Sequence, residues 1–254
     1  MPAQSDSSSC VPPLAGVLFD LFGTLVLSGP EASLERDAVS REMGRELGVD
    51  PAAFAAAIRD SFDARVRGLT GSLEQTVRVL AEALGGAPDR QSVARAVERR
   101  LALTRAQLAV DAEALAVLDR LRLAGLRVAL VSDCSLETPA ILTTTALGAR
   151  FDALAFSCTL GVRKPDPAIY HHALTQLGLA PEECIFVGDG DSRELSGAEA
   201  LGLYAIRLRW PDDDPTTRYD DDVEFHGVEV GSLTELLEEP RIAARLTSAG
   251  APDA

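Results

Sequence analysis

The stretch Val17-Leu18-Phe19-Asp20-Leu21-Phe22-Gly23-Thr24-Leu25-Val26 decides the fold. Bulky apolar residues run straight into one carboxylate, Asp20, and the chain then breaks at Gly23 before a hydroxyl, Thr24. An apolar run of this length reads as a parallel strand buried on both faces. In open α/β sheets the carboxyl ends of such strands are where ligands bind. Taken alone, the same stretch also fits a strand whose terminal Asp merely turns the chain. The choice depends on whether later segments bring complementary chemistry to the same place.

Working outward, Ser28 to about Ala109 shows helical patterning without a strand. Ser33 to Leu47 is amphipathic and stops at Gly48. Asp50-Pro51 supplies an N-cap and a first-turn proline for a helix to about Val66. Ser72 to Gln75 forms a capping box, opening a helix that ends before Gly85-Gly86. Asp89 caps a further charged helix through Arg100. Arg36, Arg41 and Arg45 fall on the first of these helices, facing either water or an acidic substrate.

From Asp111 helices and strands alternate. Leu126–Val131 is a strand ending at Ser132-Asp133, and Thr138–Leu147 reads as a helix. A short strand at Leu154–Phe156 precedes Gly161-Val162-Arg163-Lys164-Pro165-Asp166-Pro167, where Asp166 caps a helix to Leu177. Cys184–Val187 is a strand ending at Gly188-Asp189-Gly190-Asp191, followed by a helix containing Glu194. Tyr204–Leu208 and Gly227–Val230 read as further strands. The expected fold is α/β: a doubly wound, mostly parallel sheet with an inserted α-helical unit. Its boundaries are residues 16–27 and 110–240 for the core and 28–109 for the helical insert. Residues 1–15 read as a disordered tail and 241–254 as a frayed C-terminal helix and tail. Asp212–Asp214 and Asp220–Asp222 read as a solvated loop.

Composition narrows the function. A net charge of −15 argues against nucleic acid or an anionic membrane as partner. No apolar run is long enough to span a bilayer. The Ser/Pro-rich start, Met1–Gly16, lacks the regions of a signal peptide. Cys10, Cys134, Cys158 and Cys184 form no Cys-x-x-Cys pair, so buried reduced thiols in a cytoplasmic protein are expected. Arginine is abundant, yet Lys164 is the only lysine. A compact ammonium is a different tool from a planar guanidinium.

Four strand ends therefore carry polar groups: Asp20 with Thr24, Ser132 with Asp133, Lys164, and Asp189 with Glu194. In a parallel sheet they point the same way. A carboxylate nucleophile can approach a dianionic phosphate only if cations offset the charge, and carboxylates gathered without a metal repel one another. Mg²⁺, a hard oxygen-seeking ion, suits such a set.

At these residues the chain resembles the haloacid dehalogenase (HAD) superfamily of aspartate-nucleophile hydrolases. Asp20-Leu21-Phe22-Gly23-Thr24-Leu25 matches the family's first motif, Ser132 the second and Lys164 the third. Gly188-Asp189-Gly190-Asp191-Ser192-Arg193-Glu194 matches the fourth. The helical insert resembles the cap of one branch of that superfamily. The resemblance implies Asp20, Ser132 and Lys164 as catalytic residues, with Thr24, Ser132, Asp133 and Lys164 around the phosphate. It implies Mg²⁺ on Asp20, Asp189, Glu194 and the backbone carbonyl of Phe22. It further implies a small phosphorylated substrate and a monomer or homodimer.

One position departs from the pattern. Phosphatases of the family carry a second Asp two residues after the nucleophile, as general acid and base, and here Phe22 stands there. General acid–base catalysis is typically worth roughly 10²–10⁴-fold. An aromatic residue at this place resembles the 2-haloacid dehalogenases, whose halide leaves unprotonated and which need no metal. Asp189 and Glu194, the metal-type acids, resemble the phosphatases. A Mg²⁺-dependent phosphatase is thus expected first, a metal-free dehalogenase second, and an impaired phosphate-binding protein third. The phosphonoacetaldehyde hydrolase type, which needs a lysine in the insert, is excluded.

Overall fold

The structure, a computed structural model, describes residues 12–26, 30–109, 112–211 and 220–249. Strand β1 (Gly16–Phe19) is followed by five helices: α1 (Pro30–Glu46), α2 (Pro51–Asp60), α3 (Phe62–Val66), α4 (Leu73–Ala83) and α5 (Arg90–Gln107). The chain then alternates through α6 (Ala112–Leu123), β2 (Arg127–Ser132), α7 (Glu137–Leu142), β3 (Ala153–Phe156), α8 (Ser157–Leu160) and α9 (Pro167–Leu177). It ends with β4 (Cys184–Gly188), α10 (Glu194–Glu199), β5 (Tyr204–Leu208), β6 (Val228–Val230), α11 (Leu233–Leu236) and α12 (Pro240–Ala249).

The six strands lie in the order β3-β2-β1-β4-β5-β6, and every pair is parallel. The chain order reverses at β1, whose two neighbours are β2 and β4, so the switch-point crevice opens beside Asp20. Alternate residues of each inner strand feed opposite cores. Val17 and Phe19 join Val128, Leu130, Ile185 and Val187 on one face. Leu18 joins Ala129, Val131, Cys184 and Phe186 on the other. Burial on both faces is why β1 and β4 are unbroken apolar runs.

The helices after β1 have a separate core of Met43, Leu47, Phe54, Ile58, Val77, Ala81, Val93, Ala96 and Val97. Their ends are fixed by the expected caps. Asp50 accepts from Ala53 N at 2.7 Å, Asp89 accepts from Ser92 N at 2.7 Å, and Ser72 with Gln75 closes a reciprocal capping box.

Several local expectations are corrected. The helix expected to reach Val66 is interrupted at Ser61, whose hydroxyl donates to Ile58 O at 3.0 Å. This is the local competition of serine with the helix ladder. The helix expected over 138–147 runs only over Glu137–Leu142. The stretch after Pro240 is an ordered helix, held by the fully buried Ile242. Of the two acidic runs, residues 212–219 lie outside the described residues, and Asp222 is not solvated. It is fully buried and accepts from Ser196 N at 2.7 Å. Among the described cysteines, Cys134, Cys158 and Cys184 are free and buried, while Cys10 lies outside the described residues.

Two polar junctions join the helical unit to the sheet. In one, Arg163 reaches Asp63 on α3 at 3.2 Å, Asp133 after β2 at 3.3 Å and Ser192 after β4 at 2.9 Å. In the other, the buried Glu137 of α7 accepts from Arg100 of α5 at 2.8 Å, with the Arg65 guanidinium of α3 at 3.8 Å. Burial alone would raise the Glu137 pKa, but Arg100 and Arg65 outweigh it and hold the carboxyl below its ordinary 4.5. Removing one partner of such a buried set costs about 3–5 kcal/mol, because the remaining charges lose their counterion. Glu137→Ala is therefore expected to lower unfolding stability by that amount in urea melts at neutral pH. A depressed carboxyl pKa stabilises above the unfolded value, and the gain disappears as pH falls through the folded value. The gap between wild type and Glu137→Ala should accordingly shrink on acidification below 4.5. A gap that stays constant with pH would contradict this assignment.

Candidate active site

Asp20 follows the last residue of β1, and its amide donates to Val187 O of β4 at 2.9 Å, which continues the parallel ladder by one step. The chain then turns through Gly23 at φ +91° and closes with Gly23 N donating to Val26 O at 2.7 Å. Trp210, just beyond β5, secures this turn by donating Nε1–H to Gly23 O at 3.1 Å. Inside it, Thr24 is fully buried and its hydroxyl donates to Asp20 Oδ2 at 3.3 Å.

On the neighbouring strand, Asp189 follows Gly188, and the chain passes through left-handed Gly190, Ser192 and Arg193 before α10. Positive φ at two non-glycine residues carries strain of order 1–3 kcal/mol each, which surrounding structure must hold in place. The turn swings Glu194 back beneath the strand ends, where Gly190 N donates to its Oε1 at 3.1 Å. Two glycines make the room. A Cβ at Gly23 would lie 2.3 Å from Asp189 Oδ2, and one at Gly188 would lie 2.0 Å from Glu194 Oε1.

The outcome is a cluster of Asp20, Asp189 and Glu194, all buried, each offering an oxygen within 4.8 Å of the others. Lys164 enters this cluster and donates Nζ–H to both Asp20 and Glu194. Its loop is oriented by Asp133, which accepts from Lys164 N at 3.0 Å and from Arg163 Nε at 3.3 Å. The Asp133 carboxylate thus serves the loop. Asp133 also lines the cavity above Asp20, the region the resemblance implied for it.

The electrostatics follow from dryness and crowding. Burial, joined by repulsion from Asp189, pushes the Asp20 carboxyl up to about 6 against the pull of Lys164. Glu194 is raised too, by burial and then by Asp20. Burial disfavours the Lys164 charge, but Asp20 and Glu194 overcome this and raise its pKa above the ordinary lysine range. One ammonium does not satisfy three carboxylates, and their all-oxygen donor set fits a hard divalent cation. Ser132, at the end of β2, is fully buried and its Oγ has no hydrogen-bond partner among the described residues. A buried hydroxyl without a protein partner is suited to a ligand, and one oxygen of a bound oxyanion meets that need.

Above the cluster lies a cavity of about 740 Å³ between the sheet and the helical unit. Asp20, Lys164 and Asp189 form its floor, and Phe22, Phe62, Ile58 and Leu34 line its walls. That size suits a small metabolite. The expected residues Asp20, Thr24, Lys164, Asp189 and Glu194 do meet, with Ser132 at the adjacent strand end. Sequence reading passed over Arg163, Trp210 and the Arg65–Glu137–Arg100 set. For Arg163 a signal existed, since it precedes the only lysine; Trp210 and Glu137 carried none.

The matches to known proteins agree with this geometry. Residues 14–202 match the family model of haloacid dehalogenase-like hydrolases. The phosphoserine phosphatase of Thermus thermophilus is 32% identical over 168 residues, which is 65% of this chain and 63% of that protein. The glyceraldehyde 3-phosphate phosphatase of Methanopyrus kandleri is 28% identical over 250 residues, 91% of this chain and 99% of that protein. The crystal structure of a 2-haloacid dehalogenase from Pseudomonas syringae superposes with a TM-score of 0.65 at 22% identity, covering 91% of this chain and 99% of that one. At that identity the likeness concerns the fold. The chain is a hydrolase of the haloacid dehalogenase-like family.

Proposed function

We propose that this enzyme is a Mg²⁺-dependent phosphohydrolase of a small phosphorylated metabolite, with Asp20 as the nucleophile. The observation that carries the reading is the buried triad of Asp20, Asp189 and Glu194, each with an oxygen within 4.8 Å of the others. An alkyl halide needs no such anion cluster beside its nucleophile, whereas a phosphoryl dianion needs a divalent cation to approach one.

Mg²⁺ held by Asp20, Asp189, Glu194 and the Phe22 carbonyl would offset the phosphoryl charge that otherwise repels the nucleophile. Lys164 and the Ser132 hydroxyl hold the remaining phosphoryl oxygens and stabilise charge spread over them in transfer. Thr24 and Lys164 fix the Asp20 carboxylate in the attacking orientation. An Asp20 oxygen attacks phosphorus, the bond to the leaving oxygen breaks, and an acyl phosphate forms on Asp20. Water then attacks phosphorus and restores the carboxylate. Overall, the proton lost by water equals the proton gained by the leaving alkoxide.

Phe22 supplies neither proton transfer, so good leaving groups are favoured over simple alkoxides. The same residue motivates a second reading. Phe22 is partly buried against the sheet core and lines the cavity two residues after the nucleophile, as suits a halide that departs without a proton. Both names occur among the relatives and among the solved structures, and the metal-type acids favour the phosphatases.

Two measurements follow. Hydrolysis of p-nitrophenyl phosphate should require Mg²⁺, fall to background in Asp20→Asn, and need higher Mg²⁺ in Asp189→Asn. Chloride release from 2-chloropropionate in excess chelator, without phosphatase activity, would instead establish the dehalogenase reading. Separately, Phe22→Asp should raise kcat on alkyl phosphates by roughly 10²-fold or more, and by less on the aryl ester, which gains only a base for the water step. No gain on either ester would show that proton transfer at position 22 does not limit this enzyme.

A further inference from the structure

The cavity is electrically polarised. Its floor holds the carboxylates around Lys164, while the helical unit contributes Arg36 from α1, Arg65 from α3 and Arg100 from α5. Two of these guanidiniums, Arg65 and Arg100, meet one carboxylate, Glu137. Arg100 Nε and one terminal nitrogen both bond Glu137 Oε1, at 2.8 and 2.7 Å. Arg65 spends its donors on Ser61 Oγ at 3.1 Å, Ser135 Oγ at 2.6 Å and Ile58 O at 3.1 Å.

Arg36 differs from both. It is half-buried in the cavity wall and makes no ion pair or side-chain hydrogen bond among the described residues. Burial and then the proximity of Arg100 lower its pKa, and the nearby Glu35 offsets them only in part. The other arginines of α1 do not compete for this role. Arg41 is tied to Asp37 at 2.5 Å, and Asp37 also takes Arg59. Arg45 does not line the cavity. An enclosed cationic excess with unspent donors is matched by an anion, and guanidinium suits a carboxylate or phosphate.

We infer that Arg36, with Arg100 held by Glu137, forms a subsite for a second anionic group, so that the substrate is a phosphomonoester carrying a carboxylate or second phosphate. The inference rests on the phosphohydrolase reading and names its substrate class. The phosphoryl group sits over Asp20 and Lys164, and the second anion sits beneath α1 and α5. Glu137 is a positioning residue here, aiming Arg100 and leaving Arg36 to the ligand.

The test compares 3-phosphoglycerate with glycerol 3-phosphate, which share a three-carbon skeleton and differ by one carboxylate. A second probe, glycerol with two terminal phosphates, separates a carboxylate from a phosphate preference. Wild type should favour an acidic ester in kcat/KM. Arg36→Met should reduce that value about tenfold or more, the scale of a lost charge-assisted hydrogen bond, and change glycerol 3-phosphate less than about twofold. Arg36→Lys should restore part of the preference. A uniform loss on all esters would mean a structural role and overturn the inference, as would no preference in wild type.

Failure of the underlying reading is distinguishable. If no ester is turned over in an Asp20-dependent way, calorimetric titration of Asp20→Asn protein in MgCl₂ decides the subsite alone. Tighter binding of the acidic ester, weakened about tenfold by Arg36→Met, would sustain it. Equal binding of acidic and neutral esters, or none of either, would end it.

Discussion

Everything at the centre of this molecule depends on one ammonium shared between carboxylates. Lys164 donates to Asp20 and Glu194 where all three side chains are buried, with Asp189 completing the anionic set. Without Lys164 the set would repel itself apart, and with Lys164 it remains anionic. The elements around it maintain that tension. Gly23 and Gly188 let carboxylates approach where a side chain would collide. Asp133 holds the backbone of the lysine, and left-handed residues 192 and 193 bend Glu194 under the strands. A buried set with surplus negative charge suits a hard cation, which is what the proposed phosphohydrolase reading requires.

The helical unit gives the same cavity the opposite sign. Arg65 and Arg100 converge from α3 and α5 on Glu137, and Arg163 bridges from the lysine loop to Asp63. These junctions are energetic and geometric at once. They dock the unit on the sheet, and they decide which guanidiniums are left for a ligand. Phe22 sits where the two halves meet, so the same cavity combines metal-suited acids with an apolar residue beside the nucleophile. That combination makes the leaving group's need for a proton the point at which phosphoryl and haloacid chemistry part.

What could be read in the sequence was local or periodic. Val17–Phe19 and Cys184–Val187 announce buried strands because both their faces are covered, and the acids follow within two residues. The caps at Asp50, Ser72 and Asp89 involve partners three residues away. Pairing across long separations was not legible. Arg163 meets Asp63 across 100 positions and Arg100 meets Glu137 across 37, and only docking brings them together. Asp222 looked like one of three loop acids, yet the turn around Gly190 buries it. The pairing of Arg41 with Asp37 was readable from its i,i+4 spacing, which would have directed attention to Arg36 among the arginines of α1.

The central claim is that Asp20 is phosphorylated and then released by attack on phosphorus. An acyl phosphate hydrolysed in that way puts the water oxygen into inorganic phosphate, whereas a carboxylic ester left by a displaced halide is hydrolysed at the aspartyl carbonyl. Turnover of an activated phosphomonoester in H₂¹⁸O with Mg²⁺, followed by mass spectrometry of the phosphate and of the peptide containing Asp20, separates the two. The account predicts ¹⁸O in the released phosphate and none in the Asp20 carboxylate. Label accumulating in Asp20 would contradict it.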